Sequence, residues 1–257
     1  MPIRLGFRSK KKGGNPDTSD GSGQMTVLQH LTELRRRIFV CAIAIVIGAT
    51  LCFFFTPQII SFLARFYAEA LDRQNSKLIF TGPADAFILR LKIATYGGIV
   101  LSMPIWLFQI WRFITPGLNP REKRYAIPFI LSAIVLFSLG GIVAFVTLKP
   151  ALTFLLGVGG SELTPLLTGE SYITLVALMI VAFGVAFEFP VVLVFLLLAK
   201  VLTTDQLKKW RRWAIVLITL FAAIITPSQD PYSLLFMAVP MFFFYEASIV
   251  IGKLMKR

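Results

Sequence analysis

The amino-acid sequence predicts an all-α integral membrane protein with six transmembrane helices and with both termini in the cytoplasm. Hydrophobic residues make up 56% of the 257 residues, and the mean hydropathy is +0.77, whereas soluble domains are usually about 45–50% apolar. The apolar residues occur in six long runs, and the basic residues lie mainly before and between these runs. Because few segments have a polar helical face for water, a soluble bundle is a poor alternative.

The six apolar runs differ in how well they match a membrane-crossing helix, which needs about 20 residues. The second, third and fourth runs are long enough to cross with tilt. The fifth run has only about 13 residues before Thr226 and Pro227, so it must thin the bilayer locally or be shielded by neighbouring helices. The predicted spans are 38–55, 87–111, 125–148, 172–199, 213–225 and 232–251.

The distribution of Lys and Arg predicts the orientation. One side, here called the basic side, holds the N-terminal segment, loops 112–124 and 200–212, and the C-terminal tail, and it carries twenty Lys or Arg residues. The opposite side carries four. Because basic loops stay in the cytoplasm, the basic side is predicted to be cytoplasmic. An odd number of spans would put the basic C-terminus outside, so the charge pattern also requires the short fifth span.

The segments outside the spans predict two further features. Residues 1–24 form a polar tail that cannot bury enough apolar surface to fold, so the domain boundary is placed between this tail and a membrane domain at 25–257. Within loop 56–86, apolar residues recur at helical spacing and predict an amphipathic helix at the membrane interface or over the bundle. The net charge of +13 is explained by topology, so no nucleic-acid partner is expected.

Glu188 is the residue that hydropathy explains least, because it lies inside the fourth span next to Pro190. A carboxylate near the centre of a bilayer costs about 2.5–3.5 kcal/mol, and Pro190 can kink the helix and free a backbone carbonyl. A polar group at a kink favours a water-filled cavity or a contact with a partner. The simpler interpretation is a protonated Glu188 that is hydrogen-bonded to a neighbouring helix.

Three other acidic residues have both a simple and a functional interpretation. Glu33 precedes Arg37 by four residues, which predicts an ion pair within one helix. Glu33 and Glu122 are nevertheless isolated acids in basic stretches, and two carboxylates on one face could together bind a guanidinium. Asp230 precedes Pro231 in a tight outer turn, where an N-cap of the sixth span is the simpler interpretation.

The sequence contains no motif for catalysis or for a cofactor. It has no nucleophile elbow, phosphate-binding loop or dinucleotide fingerprint, and His30 is the only histidine, so neither a metal site nor an enzyme is expected. A small-molecule or ion secondary transporter is an alternative, but it predicts charges that are paired near the midplane. A passive scaffold without a ligand is a further alternative.

These unusual residues together resemble the TatC family, the multi-span receptor subunit of the twin-arginine (Tat) protein translocase. The matching stretches follow the family's order relative to the six spans and extend from about residue 25 to the end of the chain. They are 30–37, 104–109 with 113 and 116–118, Glu122 with its basic neighbours, 187–190, and 226–227 with 230–231.

The resemblance implies a glove-shaped six-helix bundle with a concave face that binds the Arg-Arg signal peptide of folded cargo proteins. It assigns Glu33 and Glu122 to the signal arginines and places Gln109 and Phe113 in the same cytoplasmic pocket, with Arg35 beside Glu33. Arginine in the signal fits this assignment, since its planar guanidinium binds carboxylates in a bidentate geometry that lysine cannot form.

The resemblance also implies partners and an energy source. The apolar part of the signal, or a single-span TatA- or TatB-type subunit, would dock near Glu188 and Pro190, and Asp230 would lie in a periplasmic turn. The expected setting is a multimeric complex in the lipid of the bacterial cytoplasmic (inner) membrane, with transport driven by the proton motive force.

Overall fold

The computed structural model describes residues 27–70, 79–114, 126–160 and 167–254. Within these ranges the chain is helical, and its only β-type pairing is an isolated bridge between Ile79 and Thr168. The predicted tail at 1–24 lies outside the described residues. In chain order the helices are α1 (Val27–Phe54), α2 (Thr56–Ala70), α3 (Asp85–Leu101), α4 (Met103–Ile114), α5 (Ala126–Gly157), α6 (Gly169–Ala186), α7 (Phe189–Leu198), α8 (Thr204–Lys209), α9 (Arg211–Ile225) and α10 (Pro231–Leu254).

Helix α1 joins the first predicted span to the basic segment before it. The span was predicted from residue 38, but the helix begins at Val27, so the basic residues form about three further turns of the same helix. Helix α1 packs very closely along α3. A Cβ added to Gly98 of α3 would lie only 2.5 Å from the backbone nitrogen of Ala49 of α1. This contact brings the N-terminal part of the chain against the third and fourth helices.

The second predicted span is bent, which the sequence analysis did not predict. Helices α3 and α4 meet at Ser102 at an angle of 50°. Pro104 follows two residues later and cannot donate a backbone hydrogen bond, which favours a break at this point. The Trp106 indole N–H donates to the Ile99 carbonyl oxygen at 3.0 Å, so one carbonyl near the break has a side-chain donor.

The fourth predicted span is broken where its sequence suggested a kink. Helix α6 ends at Ala186 and α7 begins at Phe189, with Pro190 in its first turn. Because Pro190 has no N–H, the Ala186 carbonyl lacks its usual donor from four residues later. The break places Glu188 between the two helices, with its backbone N–H donating to the Val185 carbonyl oxygen at 3.1 Å.

Among the described residues, four helical segments are long and apolar enough to cross a membrane, or five if the bent pair α3 and α4 counts as one span. Helix α9 is the remaining predicted span. It has 15 residues, so it is about 22 Å long against a hydrocarbon core of about 30 Å. The prediction that the fifth apolar run forms a short helix is therefore confirmed, and the described residues are helical as predicted for an all-α membrane protein.

The core is centred on α6, which packs against α3 and α5, while α10 packs against α7 and α9. Tyr172 and Phe183 of α6 are completely buried. The predicted amphipathic helix is α2, whose Leu63 and Tyr67 are buried against the bundle. The Tyr172 hydroxyl donates to the Leu63 carbonyl oxygen at 3.1 Å, which attaches α2 to the start of α6 on the side opposite the basic side.

Candidate functional site

The first candidate site lies where the basic start of α1 meets the end of α4. Arg37 is only 9% exposed. Its Nη2 donates to Glu33 Oε1, and its Nη1 donates to Gln109 Oε1 at 3.4 Å. The predicted ion pair between Glu33 and Arg37 is therefore confirmed, and Gln109 of α4 joins it although it lies 72 residues from Arg37 in the sequence.

These polar side chains surround a small cavity of about 160 Å³. Two buried atoms at this position have no hydrogen-bond partner within the described residues: Glu33 Oε2 and Arg37 Nε. Buried polar groups are normally paired, so this carboxylate has free capacity to accept a hydrogen bond. The lining residues are Glu33, Arg36, Arg37, Val40, Gln109 and Arg112.

Phe113 lies one turn beyond Gln109 on α4 and is held by His30. The two rings stack with centroids 4.3 Å apart and planes inclined by 21°. His30 stood out in the sequence only as the single histidine, without metal partners, and its contact with Phe113 was not predicted. Its signal was the spacing of three residues between His30 and Glu33, which places both on one face of a helix.

The structure does not place every predicted binding residue at this cavity. Arg35 is exposed and lines a separate shallow groove on α1, together with Leu31 and Phe39. Two residues after Glu33 on a helix, it faces in nearly the opposite direction. Glu122 lies outside the described residues, so its pairing with Glu33 stays a prediction.

The second candidate site surrounds Glu188. Glu188 lines an apolar cavity of about 250 Å³ with Trp106, Trp111 and Phe195 among its neighbours, and none of the lining residues is basic. Its Oε1 atom is buried and has no hydrogen-bond partner within the described residues. This oxygen therefore does not form the hydrogen bond to a neighbouring helix that the simpler interpretation requires of the carboxyl group.

Helix α4 connects the two candidate sites. Gln109 and Arg112 face the small polar cavity, whereas Trp106 and Trp111 face the apolar cavity of Glu188. Trp111 stacks on Phe129 of α5, with ring centroids 4.5 Å apart. Helix α4 therefore forms part of the wall of both cavities.

Asp230 caps the last helix, as its simpler interpretation predicted. It is 1% exposed, and its Oδ1 accepts a hydrogen bond from the backbone N–H of Ser233 at 2.8 Å, which is the geometry of an N-cap. Its Oδ2 has no partner within the described residues.

Two ion pairs between helices were not predicted. Lys92 of α3 donates from Nζ to Glu170 Oε1 of α6 at 2.6 Å and to Thr174 Oγ1 at 3.3 Å. Arg211 Nη2 of α9 lies 2.6 Å from Glu246 Oε2 of α10. Both pairs join residues far apart in the sequence, so no local pattern could reveal them.

Comparison with known proteins gives matches over nearly the whole described chain. Residues 29–240 match the family model for TatC, the Sec-independent protein translocase protein. The TatC protein of Aquifex aeolicus is 39% identical over 236 residues, which cover 91% of this chain and 97% of that protein. The TatC protein of Carboxydothermus hydrogenoformans is 36% identical and covers 90% and 94%, respectively.

A solved structure gives the same result in three dimensions. The crystal structure of the twin-arginine translocase receptor TatC superimposes with a TM-score of 0.73 at 39% identity, covering 89% of this chain and all of that one. This match agrees with the predicted six-helix, glove-shaped bundle.

Proposed function

The chain belongs to the TatC family, and we propose that it binds the Arg-Arg signal peptide of folded cargo proteins at the cytoplasmic face of the membrane. Membership of this family makes it a core subunit of the Sec-independent, twin-arginine protein translocase. The family is a translocase component and not a known enzyme, so its task is recognition and transport. The family match does not favour the alternative of a small-molecule or ion transporter.

The observation that carries the proposal is the carboxylate of Glu33 in the small polar cavity. Glu33 Oε2 is buried and has no hydrogen-bond partner among the residues that the structure describes, and Gln109 adds an amide oxygen to the same cavity. A guanidinium carries several N–H donors in one plane and binds such oxygen acceptors well. Phe113 stacks on His30 one turn beyond Gln109 on α4, but it is not among the residues that line the cavity.

We propose Glu122 as the second carboxylate for the two signal arginines. In the sequence it follows Ile114, the last residue of α4, by eight positions, and α4 carries Gln109 and Phe113. Arg35 faces away from the cavity. If the signal peptide extends across α1, Arg35 contacts it on the exposed surface of that helix.

For the membrane-embedded part of the signal, or for a single-span TatA- or TatB-type subunit, we propose the cavity around Glu188 as the docking region. Its lining is apolar except for Glu188 itself, which suits a hydrophobic helix with one polar contact. Pro190 keeps the helix broken beside Glu188. In this proposal the chain acts in a multimeric complex of the bacterial inner membrane, with both termini cytoplasmic and the proton motive force as the energy source.

Crosslinking of an Arg-Arg signal peptide to the protein in membranes tests the first site. Glu33→Gln removes one charge-assisted pair, worth about 1.5–3 kcal/mol, so crosslinking at a subsaturating peptide concentration should fall at least tenfold. Glu246→Gln makes the same change at a carboxylate that pairs with Arg211 instead and should leave crosslinking unchanged. Equal crosslinking of the wild type and the Glu33→Gln variant would refute the proposal.

A further inference from the structure

We propose that an anionic phospholipid binds beside the small polar cavity, with its phosphate between Arg36 of α1 and Arg112 of α4 and one acyl chain in the shallow groove on α1. The exposed guanidinium groups of these two residues form what we call the basic rim. Lipid binding at the basic rim does not depend on the proposed function, since Arg36 and Arg112 take no part in the proposed contacts of Glu33.

Two helices bring the residues of the basic rim to one cavity. The lining residues on α1 recur at spacings of three, four and seven, which place them on one face of that helix. They are Glu33, Arg36, Arg37 and Val40. On α4 the lining residues Gln109 and Arg112 are three positions apart and also share a face. The guanidinium groups of Arg36 and Arg112 therefore face the same space from different helices.

The lining of this cavity has a surplus of positive charge and of N–H donors. Three guanidinium groups stand against the single carboxylate of Glu33, which pairs with Arg37. Arg36 and Arg112 form no ion pair within the part of the chain that the structure describes. Arg37 Nε is buried and donates to no acceptor among the same residues. Because buried donors are normally paired, the group that this cavity lacks is an oxyanion.

The position of the basic rim along the helices favours a lipid phosphate as that oxyanion. Arg36 lies two residues before the first predicted span, and Arg112 directly follows the second. Both therefore lie at the edge of the hydrocarbon core on the basic side, which is the depth of the lipid headgroups. Arginine binds phosphate oxygens through parallel hydrogen bonds, and basic pockets between membrane helices on the cytoplasmic side bind anionic headgroups.

The shallow groove on α1 provides a place for the acyl chain. Arg36 lines this groove as well as the polar cavity, so the two are adjacent. Beyond Arg36 the groove continues into the first predicted span along Ile38, Phe39 and Ala42, and the first two of these are exposed. A free phosphate ion would use only the basic rim, whereas a phospholipid has a phosphate for the rim and an apolar chain for the groove.

The test uses the full chain in phosphatidylcholine nanodiscs that contain a trace of a photoactivatable lipid. The probe is either phosphatidylglycerol or phosphatidylcholine with the same photoreactive acyl chain, and adducts within residues 31–42 are quantified by mass spectrometry. The basic rim should favour the anionic phosphatidylglycerol over zwitterionic phosphatidylcholine by about tenfold. The double substitution Arg36→Gln with Arg112→Gln should remove most of this preference, and each single substitution should remove part of it.

The matched control is the double substitution Lys209→Gln with Arg212→Gln. It removes two exposed positive charges from the same side of the membrane and should leave the preference unchanged. Equal adduct yields of the two lipids with the wild type overturn the proposal. Equal losses in the two double variants also overturn it, because they would show attraction by the general surface charge only. If the Arg36 and Arg112 double variant fails to insert, the two single variants decide.

Excess inorganic phosphate distinguishes the two sources of the oxyanion. At constant ionic strength it should leave the phosphatidylglycerol adducts unchanged, because the ion has no chain to occupy the groove. Loss of the adducts would show that the basic rim binds free phosphate, and would overturn the assignment of a lipid.

Discussion

Two adjacent glycines of α5 give a sharp test of how the bundle is packed. A Cβ on Gly140 would lie 2.5 Å from the Phe183 carbonyl oxygen and 2.9 Å from the Gly184 Cα of α6. These are backbone atoms, so the helices themselves must move apart. A Cβ on Gly141 would meet only Ile180 Cγ2, at the ordinary contact distance of 3.7 Å.

The two alanine substitutions should therefore change the stability of the protein in different directions. Overpacking of a close helix contact costs about 1–3 kcal/mol, and the direct backbone clash puts Gly140→Ala at the upper end of this range. The better helix propensity of alanine returns about 1 kcal/mol at either position, so Gly140→Ala should lose about 2 kcal/mol of stability, while Gly141→Ala should be neutral or slightly stabilised.

Thermal unfolding of the two purified variants in the same detergent, monitored by circular dichroism, measures this difference in stability. A difference of about 2–3 kcal/mol corresponds to a melting temperature several degrees lower for Gly140→Ala than for Gly141→Ala. Equal melting temperatures of the two variants would show that α5 and α6 do not approach each other at Gly140, and would refute this account of the core.

Two further predictions concern charged residues of the bundle. Glu188→Ala should spare membrane insertion but impair export of a folded reporter, because Glu188 is the only acidic group among the described residues that line its cavity. Export at the wild-type level would show that Glu188 has a packing role only. Lys92→Met and Glu170→Gln should each destabilise the protein by about 1–3 kcal/mol, since each leaves a half-buried charge without its partner. The double variant should cost less than the sum of the two, and strict additivity in melting experiments would argue against their ion pair.

Local sequence signals predicted the parts of this protein that depend on local physics. The short fifth span followed from the length of one apolar run and from the charges around it. The ion pair of Glu33 with Arg37 followed from a spacing of four residues, and the cap at Asp230 from its position before a proline-initiated helix. Each of these features is decided within a few residues of the chain, where helical geometry is the same in most proteins.

Individual contacts between distant segments did not follow from local sequence signals, although the family resemblance placed Gln109 and Phe113 in one pocket with Glu33. The contact of Gln109 with Arg37 and that of Lys92 with Glu170 span 72 and 78 residues, and the stacking of His30 on Phe113 also depends on how α1 and α4 meet. The bend at Ser102 was missed because Pro104 lies within a continuous apolar run. Hydropathy responds to composition and not to the direction of a helix axis.

The sequence by itself determined that the chain is a six-span membrane protein, which side carries the positive charge, and which residues are too polar for their surroundings. These properties follow from transfer free energies that each segment carries independently. Only the tertiary structure decided that Gln109 joins the ion pair of Glu33 with Arg37, and that Glu188 has an oxygen without a partner among the described residues in an apolar cavity. Those facts depend on which helices are neighbours, because a buried polar group is satisfied or left unpaired by the side chains that packing brings to it.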